Sequence, residues 1–165
     1  FAGTQDPQQR PLTFTNFMRA PYGQCHAAQF ADVLLLNRYY GWYVKGGMEL
    51  EYARDDFIQE MKAWEQENKP MIISEYGADT KAGIHKLPSV QWSEEYQTEY
   101  LEVQHEVFDK IDSIVGEQVW NFADFQTVEG IMRVNGNKKG IFTRNRQPKK
   151  AAYQLKERWE NLGEN

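Results

Sequence analysis

Residues 70–76 read PMIISEY, a short apolar run that ends in a carboxylate. Apolar runs without strict alternation are typical of strands that are buried on both faces of a parallel sheet. Glu75 stands at the end of this run, where a glutamate is rarely buried without a partner. It is either one half of a structural ion pair or a catalytic carboxylate, that is, a nucleophile or a general acid or base. The segment alone leaves both interpretations open.

Three further segments have the same form as this strand. They read LTFTNF at 12–17, VLLLNRY at 33–39 and QVWNFA at 118–123, and each ends in polar or aromatic residues. Helical periodicity fills the intervals, and Ser93, which two glutamates follow, is a typical capping residue. The predicted helices cover residues 54–68, residues 93–114 and the chain from 148 onward, with a weaker helix at 27–30. Strands that alternate with helices predict βαβ units and a parallel sheet.

The polar ends of the predicted strands point to the architecture. Asn16, Asn37, Glu75 and Asn121 each lie at the end of an apolar run. In parallel α/β sheets and barrels, the carboxyl ends of the strands carry the chemistry. A doubly wound sheet would satisfy the same alternation, but no glycine-rich phosphate-binding turn follows any of these strands. We therefore predict the α/β class and a (β/α)8 barrel of the TIM type, to which this chain contributes about four βα units.

The composition excludes several classes of function. A net charge of −5 over 165 residues argues against a nucleic-acid partner, since phosphate binding needs a clustered basic face. No apolar run approaches the roughly 18–20 residues that span a bilayer, so we expect no membrane partner. Cys25 is the only cysteine, which excludes an internal disulfide framework and fits the cytoplasm. The three histidines lack ligand spacing, so we expect neither a metal nor another cofactor.

Aromatic residues are frequent, at 14% of the chain, and many cluster with polar residues. Rings with polar tips suit a core, an oligomer interface or a carbohydrate site. In a carbohydrate site the C–H faces of a sugar pack on the rings while its hydroxyls need donors and acceptors. Composition does not choose among these three.

Four motifs in unbroken order resemble one family of enzymes. ISEYGA at 73–78 resembles the nucleophile strand of glycoside hydrolase family 2, and NRYYGWY at 37–43 resembles the preceding strand end. GEQVWNFADF at 116–125 and NKKGIFTR at 137–144 resemble the β-glucuronidases of that family in particular. The match extends over residues 10–159. It implies a retaining glycosidase, in which two carboxyl groups about 5–5.5 Å apart flank the glycosidic bond.

The resemblance also implies roles for individual residues. Glu75 takes the position of the nucleophile, and Tyr39 and Tyr43 match positions that orient the nucleophile or contact the sugar. Trp120 matches a residue that lines the sugar pocket, and Arg133 matches a position on the substrate side. The alternative for the three aromatic residues is ordinary packing in the core or barrel, and for Arg133 it is bracing of its loop.

Asn137 and Lys139 form a separate candidate site. Residues two apart on an extended segment point to the same side, and an ammonium together with an amide suits a carboxylate. In β-glucuronidases this Asn-x-Lys pair reads the C6 carboxylate of glucuronic acid, so the resemblance carries that role to Asn137 and Lys139. The alternative is a solvated turn between glycines.

We therefore expect a retaining exo-glycosidase that hydrolyses terminal β-D-glucuronides through a covalent intermediate on Glu75. One alternative keeps the chemistry and changes the sugar, to a β-galacturonide or a β-galactoside. Another is a carbohydrate-binding remnant that kept the fold without hydrolysis.

One element of the family is missing from the sequence. Its acid/base glutamate follows an asparagine at the end of the fourth strand, and no Asn-Glu pair lies at a strand end here. We therefore expect residues 1–165 to be the carboxy-terminal half of a catalytic barrel, without the acid/base, the other barrel half and the preceding β-sandwich domains. The expected partners are a small glucuronide, the missing half of the barrel and further copies in a tetramer.

Overall fold

A parallel sheet lies at the centre of the computed structural model, which describes residues 2–162. Its strands are β1 (Thr15–Asn16), β2 (Leu34–Asn37), β3 (Met71–Tyr76) and β4 (Ile114–Val119). They lie in the order β1-β2-β3-β4, and all neighbouring pairs are parallel. The predicted α/β class and parallel sheet are confirmed, and the carboxyl ends of all four strands meet at one edge.

Helices connect and cover the strands. They are α1 (Ala2–Gln5), α2 (Leu50–Trp64), α3 (Glu94–Phe108) and α4 (Lys150–Leu162), with 3-10 turns at His26–Phe30, Gly47–Glu49 and Glu65–Glu67. Helix α2 packs on α3, and α3 packs on α4. The predicted apolar face of α2 is buried, and Ser93 caps α3 by accepting a hydrogen bond from the Tyr96 backbone N–H. The weak helix predicted at 27–30 is one of the 3-10 turns, so no α-helix separates β1 from β2.

The predicted position of the fourth strand is wrong. We expected a helix to about residue 114 and a strand at 118–123, whereas α3 ends at Phe108 and β4 covers Ile114–Val119. Glu117 breaks the apolar pattern of this strand, and its shortest hydrogen bonds come from α4. The Arg158 guanidinium donates to both carboxylate oxygens of Glu117 at 2.8–3.1 Å, and Trp159 Nε1 donates at 2.8 Å. These hydrogen bonds stabilise a charged residue within the strand. The hydrophobic periodicity of the sequence does not reveal such partners.

The first strand is shorter than the predicted segment 12–17. Within that segment, hydrogen bonds that involve side chains replace part of the backbone hydrogen bonding between the strands. The Leu12 N–H donates to the Asp32 carboxylate at 2.7 Å, and the Thr13 hydroxyl donates to the Val33 carbonyl at 2.6 Å. Phe1 and residues 163–165, which the predicted domain 1–165 includes, lie outside the described residues.

A buried ion pair fixes the end of β2. Arg38 is fully buried directly after this strand, and its guanidinium binds Glu60 of α2 at 2.8 Å. The Tyr40 hydroxyl and Trp64 Nε1 also donate to Glu60, at 2.8 and 3.0 Å. A buried charge needs such complete pairing. The network holds the backbone on both sides of Tyr39, the first residue of the candidate site.

Candidate active site

Glu75 lies at the carboxyl end of β3, opposite Asn37 of β2 in the parallel ladder. Its side chain is half-buried, and Oε2 accepts a hydrogen bond of 2.7 Å from the Tyr39 hydroxyl. Burial of Tyr39 and the nearby Glu75 carboxylate raise the pKa of this tyrosine, so its hydroxyl stays protonated and donates. The structure therefore pairs Glu75 with a hydroxyl and places no cation in direct contact with it among residues 2–162.

Trp120 reaches the same strand end because of a glycine. A Cβ atom on Gly77 would lie 2.0 Å from the Trp120 carbonyl oxygen, so only glycine lets the two segments approach this closely. The Trp120 N–H donates to the Tyr76 carbonyl at 2.8 Å, and the Gly77 N–H donates to the Tyr100 hydroxyl at 3.0 Å. The Trp120 side chain is half-buried and lies edge-on to Phe125. Its predicted contact with a sugar stays a prediction.

Tyr43 connects the Glu75 end of the site to a pair of cations. The rings of Tyr39 and Tyr43 lie 5.0 Å apart between centroids. The Tyr43 hydroxyl oxygen accepts from Arg133 Nη2 at 2.6 Å and from Lys139 Nζ at 2.9 Å. Both lone pairs of this oxygen are therefore used by positive groups. Partial burial opposes the charge of Arg133, but its hydrogen bond to the Tyr43 oxygen and the nearby Asp79 carboxylate raise its pKa.

Lys139 is fully buried within this cluster. Its ammonium lies over the rings of Tyr39, Trp42 and Tyr43, at 5.7, 5.4 and 4.7 Å from their centroids. Cation–π attraction of this kind is strongest at desolvated positions. The ammonium also forms an ion pair with Oδ2 of Asp79, which is itself fully buried. The solvated turn considered above is therefore excluded for Lys139.

Asn137 is arranged differently from Lys139. It is buried, and its amide oxygen accepts a hydrogen bond of 3.0 Å from the Lys139 backbone N–H. Its backbone pairs with Phe125 through two hydrogen bonds of 2.9 and 3.2 Å. The amide oxygen thus shapes the loop that carries Lys139. The joint recognition of a carboxylate by the Asn137 amide and the Lys139 ammonium stays a prediction.

Sequence reasoning missed Asp79. This carboxylate accepts from the Lys138 backbone N–H at 2.8 Å, pairs with Lys139, and has Arg133 Nη1 at 3.5 Å. It lies four residues after Glu75, in the sequence EYGADT. An acid that follows a strand end so closely is a signal in itself, because this edge carries the chemistry of parallel sheets.

A second buried lysine, Lys149, anchors the loop that carries Lys139. Lys149 Nζ donates to the Thr80 carbonyl at 2.7 Å, to Asp124 Oδ1 at 2.8 Å and to the Lys138 carbonyl at 2.9 Å. Asp124 Oδ1 also accepts from the Gly140 N–H at 3.1 Å. This cluster was also not predicted. It ties the segments that carry Asp79 and Lys139 to the start of α4.

Two absences concern the part of the chain that the structure describes. Over residues 2–162, no three side chains of the His, Cys, Asp or Glu type come together as a metal site. Over the same range, no helix has the length and apolar character that crossing a membrane requires.

A half-buried carboxylate, tyrosines and two cations thus share the carboxyl edge of a parallel β/α sheet, which is the edge where enzymes built on a barrel carry their catalytic residues. The chain belongs to the glycosyl hydrolases of family 2, and the model of the family's TIM-barrel domain matches residues 4–163. This match confirms the predicted barrel, of which the four strands described here form a part.

Several relatives are similar over nearly the whole chain. The β-glucuronidase of Streptococcus agalactiae is 47% identical over 156 residues, which is 93% of this chain and 26% of the relative. The crystal structure of Ruminococcus gnavus β-glucuronidase has a TM-score of 0.93 at 53% identity and covers 96% of this chain and 27% of that one. A structure of the Ruminococcus gnavus enzyme in complex with D-glucuronic acid has a TM-score of 0.92. The chain therefore spans about a quarter of the length of these relatives.

Proposed function

We propose that this chain carries the nucleophile and the carboxylate-binding site of a β-glucuronidase. The observation that carries the proposal is the cation pair Lys139 and Arg133, which shares the Tyr43 hydroxyl beside the Tyr39–Glu75 hydrogen bond. Lys139 lies over the ring of Tyr39, whose hydroxyl binds Glu75. The cations and the carboxylate are thus separated by about one tyrosine ring, which is the scale of a single sugar residue.

The charge of this cluster favours an acidic sugar. Lys139 and Arg133 bring two positive charges, and Asp79 brings one negative charge. The buried ion pair of Lys139 and Asp79 is balanced, so the positive charge that remains is that of Arg133, whose side chain is 29% exposed. Because a guanidinium that is open on one side binds carboxylates well, a substrate carboxylate at C6 would complete the site. A galactoside or a glucoside has no such group.

In the proposed reaction Glu75 attacks the anomeric carbon of the glucuronide. The bond between this carbon and the leaving oxygen breaks as the ester bond to a Glu75 oxygen forms, and the leaving oxygen takes a proton from the acid/base. Water activated by the same acid/base then hydrolyses the ester, which gives net retention. Tyr39 contributes by holding the attacking carboxylate with its hydroxyl.

The complete activity needs residues that the resemblance does not assign to this chain. We infer that the acid/base and the other strands of the barrel lie elsewhere in the polypeptide, because the chain spans about a quarter of its relatives' length. Assembly into a tetramer is part of the same proposal.

The decisive experiment traps the intermediate. The protein, expressed at its full natural length, is incubated with an activated 2-deoxy-2-fluoro-β-D-glucuronide, digested and mapped by mass spectrometry. We expect one label, on the peptide that contains Glu75, and none in the Glu75→Gln variant. A label on another residue would assign the nucleophile elsewhere, and no label in an active enzyme would contradict the covalent mechanism. No label and no turnover would support the carbohydrate-binding alternative.

A substrate series separates the sugars. Aryl β-glucuronide and β-galacturonide differ only at C4, whereas the corresponding glucoside and galactoside lack the C6 carboxylate. We expect turnover of the glucuronide to exceed that of the other three. A preference for the galacturonide would keep the carboxylate site and change the sugar, and a preference for a neutral glycoside would contradict the proposal.

A further inference from the structure

We propose that Asp79 is the positioning residue that gives this site its selectivity for acidic sugars. It would do so by holding the Lys139 ammonium in place with one N–H left for the substrate. The inference deepens the proposed function and rests on it. Asp79 itself would not contact the sugar, since its carboxylate carries the same charge as the group to be bound.

Asp79 joins two segments that are distant in sequence. Its Oδ1 accepts from the Lys138 backbone N–H at 2.8 Å, while its Oδ2 pairs with the Lys139 ammonium. The Thr80 N–H donates to the Lys138 carbonyl at 2.9 Å, which joins the two backbones beside the carboxylate. Asp79 therefore fixes both the backbone and the charged end of Lys139.

Two buried lysines in the same region, Lys149 and Lys139, differ in how many oxygen atoms accept from their ammonium groups. An ammonium has three N–H donors. Lys149 uses all three, on the Thr80 carbonyl, on Asp124 and on the Lys138 carbonyl. Lys139 has two oxygen partners within residues 2–162, Asp79 and the Tyr43 hydroxyl. Lys149 is thus a completed structural anchor, whereas the ammonium of Lys139 has only aromatic rings as further partners, and a substrate carboxylate would bind it more strongly than these rings do.

The position of the Lys139 ammonium depends on an anion beside it. A lysine has a flexible stem, and its ammonium pays a large desolvation penalty when it is buried without an anion. With Asp79 neutralised, Lys139 and Arg133 would face each other around the Tyr43 hydroxyl with no carboxylate between them. We expect the ammonium then to leave its present position, so that the site would no longer bind a substrate carboxylate as well.

The test compares ligands that differ at C6, with the protein expressed at its full natural length. Inhibition constants are measured for D-glucaro-1,5-lactone, which has the carboxylate, and for D-glucono-1,5-lactone, which lacks it. KM and kcat are measured for an aryl β-glucuronide. The variants are Asp79→Asn, Asp79→Glu and, as a matched control, Asp124→Asn. The control neutralises the acid partner of the completed anchor Lys149.

Loss of a charge-assisted hydrogen bond corresponds to roughly 10- to 100-fold in binding. We expect Asp79→Asn to raise KM and the glucaro-lactone constant by that factor, and to change kcat and the glucono-lactone constant by less than about 3-fold. Asp79→Glu, which keeps the charge, should recover part of the loss. Asp124→Asn should lower the melting temperature and leave the ratio of the two inhibition constants unchanged.

Two kinds of failure can be told apart. If the wild-type protein binds the acidic lactone no better than the neutral one, the proposed function is contradicted, and the role of Asp79 with it. If the wild type prefers the acidic lactone and Asp79→Asn keeps that ratio, the role of Asp79 alone is contradicted. Should Asp79→Asn fail to fold, an unchanged ratio in Asp79→Glu, whose longer side chain must move the ammonium, would overturn the inference, and a reduced ratio would support it.

Discussion

The Tyr39 hydroxyl lies 2.7 Å from Glu75 Oε2 and joins the ends of two neighbouring strands through their functional side chains. Glu75 belongs to β3, and Tyr39 follows β2 by two residues. The tyrosine ring is buried, so the hydrogen bond has a fixed direction. If Glu75 is the nucleophile, as proposed, this fixed hydrogen bond would orient the carboxylate for attack on the anomeric carbon.

Replacement of Tyr39 by Phe removes the hydroxyl and keeps the packed ring. We expect kcat for an aryl glucuronide to fall by roughly 10- to 100-fold, because a hydrogen bond to a charged group contributes about 1.5–3 kcal/mol. The fold should be retained, and circular dichroism and the melting temperature check this. An unchanged kcat would mean that Glu75 is oriented by other groups.

The variant Glu75→Gln tests the nucleophile itself. The amide oxygen can still accept from Tyr39, but a neutral amide cannot form the ester, so kcat should fall by at least about 10³-fold. The matched control is Glu117→Gln on the neighbouring strand, since Glu117 also accepts from a tyrosine hydroxyl, that of Tyr76 at 3.4 Å. This control should lower stability through Arg158 and keep turnover. Comparable loss of turnover in both variants would contradict the assignment.

Tyr43→Phe is expected to act on substrate recognition. It removes the oxygen that Arg133 and Lys139 share, at 2.6 and 2.9 Å. We expect KM for a glucuronide to rise at least about 10-fold with a smaller change in kcat, because both hydrogen bonds from charged groups to this oxygen are lost. Inhibition by the neutral glucono-lactone should change less than inhibition by glucaro-lactone. Equal weakening of both lactones would show that Tyr43 only packs.

Gly77→Ala should disrupt the end of β3 through a steric clash. The new Cβ would meet the Trp120 carbonyl oxygen at 2.0 Å, and both are backbone positions that move only together with their strands. We expect a loss of more than about 3 kcal/mol in stability, or failure to fold. Gly130→Ala is the control, because no heavy atom lies within 4 Å of its Cβ position. Similar melting temperatures for the two variants would contradict this prediction.

His105 makes stability depend on pH. Burial and the Arg158 guanidinium lower the pKa of its imidazole from 6.5 to about 4, so the folded state holds it neutral. Below pH 6.5 the unfolded chain binds the proton first. The stabilisation that comes from neutral His105 is therefore fully present above pH 6.5. The free energy of unfolding falls by up to about 3 kcal/mol as the pH drops toward 4.

The variant His105→Gln isolates this contribution. Glutamine stays neutral and can still bond with the Tyr76 hydroxyl, which lies 3.2 Å from His105 Nε2. We expect its melting temperature to change less between pH 7 and about pH 4.5 than that of the wild type. Protonation of acids whose pKa is lowered in the folded state, such as Asp109 and Glu117, also reduces the stability of the protein at low pH. These acids are present in both the wild type and the variant, so the difference between the two profiles reports on His105. Identical pH profiles would contradict the role of His105.

Local patterns explain which elements were predictable. The apolar run of β3, the face of α2 and the Ser93 cap depend on neighbouring residues, and all three were placed from the sequence. The position of β4 depends on Glu117, whose charge is accommodated by Arg158 of α4. That partner is 41 residues away, so the pattern around Glu117 carried no trace of it.

The sequence by itself determined the order of strands and helices, the strand end at which Glu75 lies and the aromatic residues around it. Only the tertiary structure decided how the charges pair. Asp79 and Lys139 are 60 residues apart, and neither has a local pattern that names the other. The partner of a buried charge depends on which segments are brought together away from water, because there the cost of an unpaired charge is high. That pairing separates Lys149, whose three N–H groups all have oxygen acceptors, from Lys139, which has two and which we propose binds the substrate.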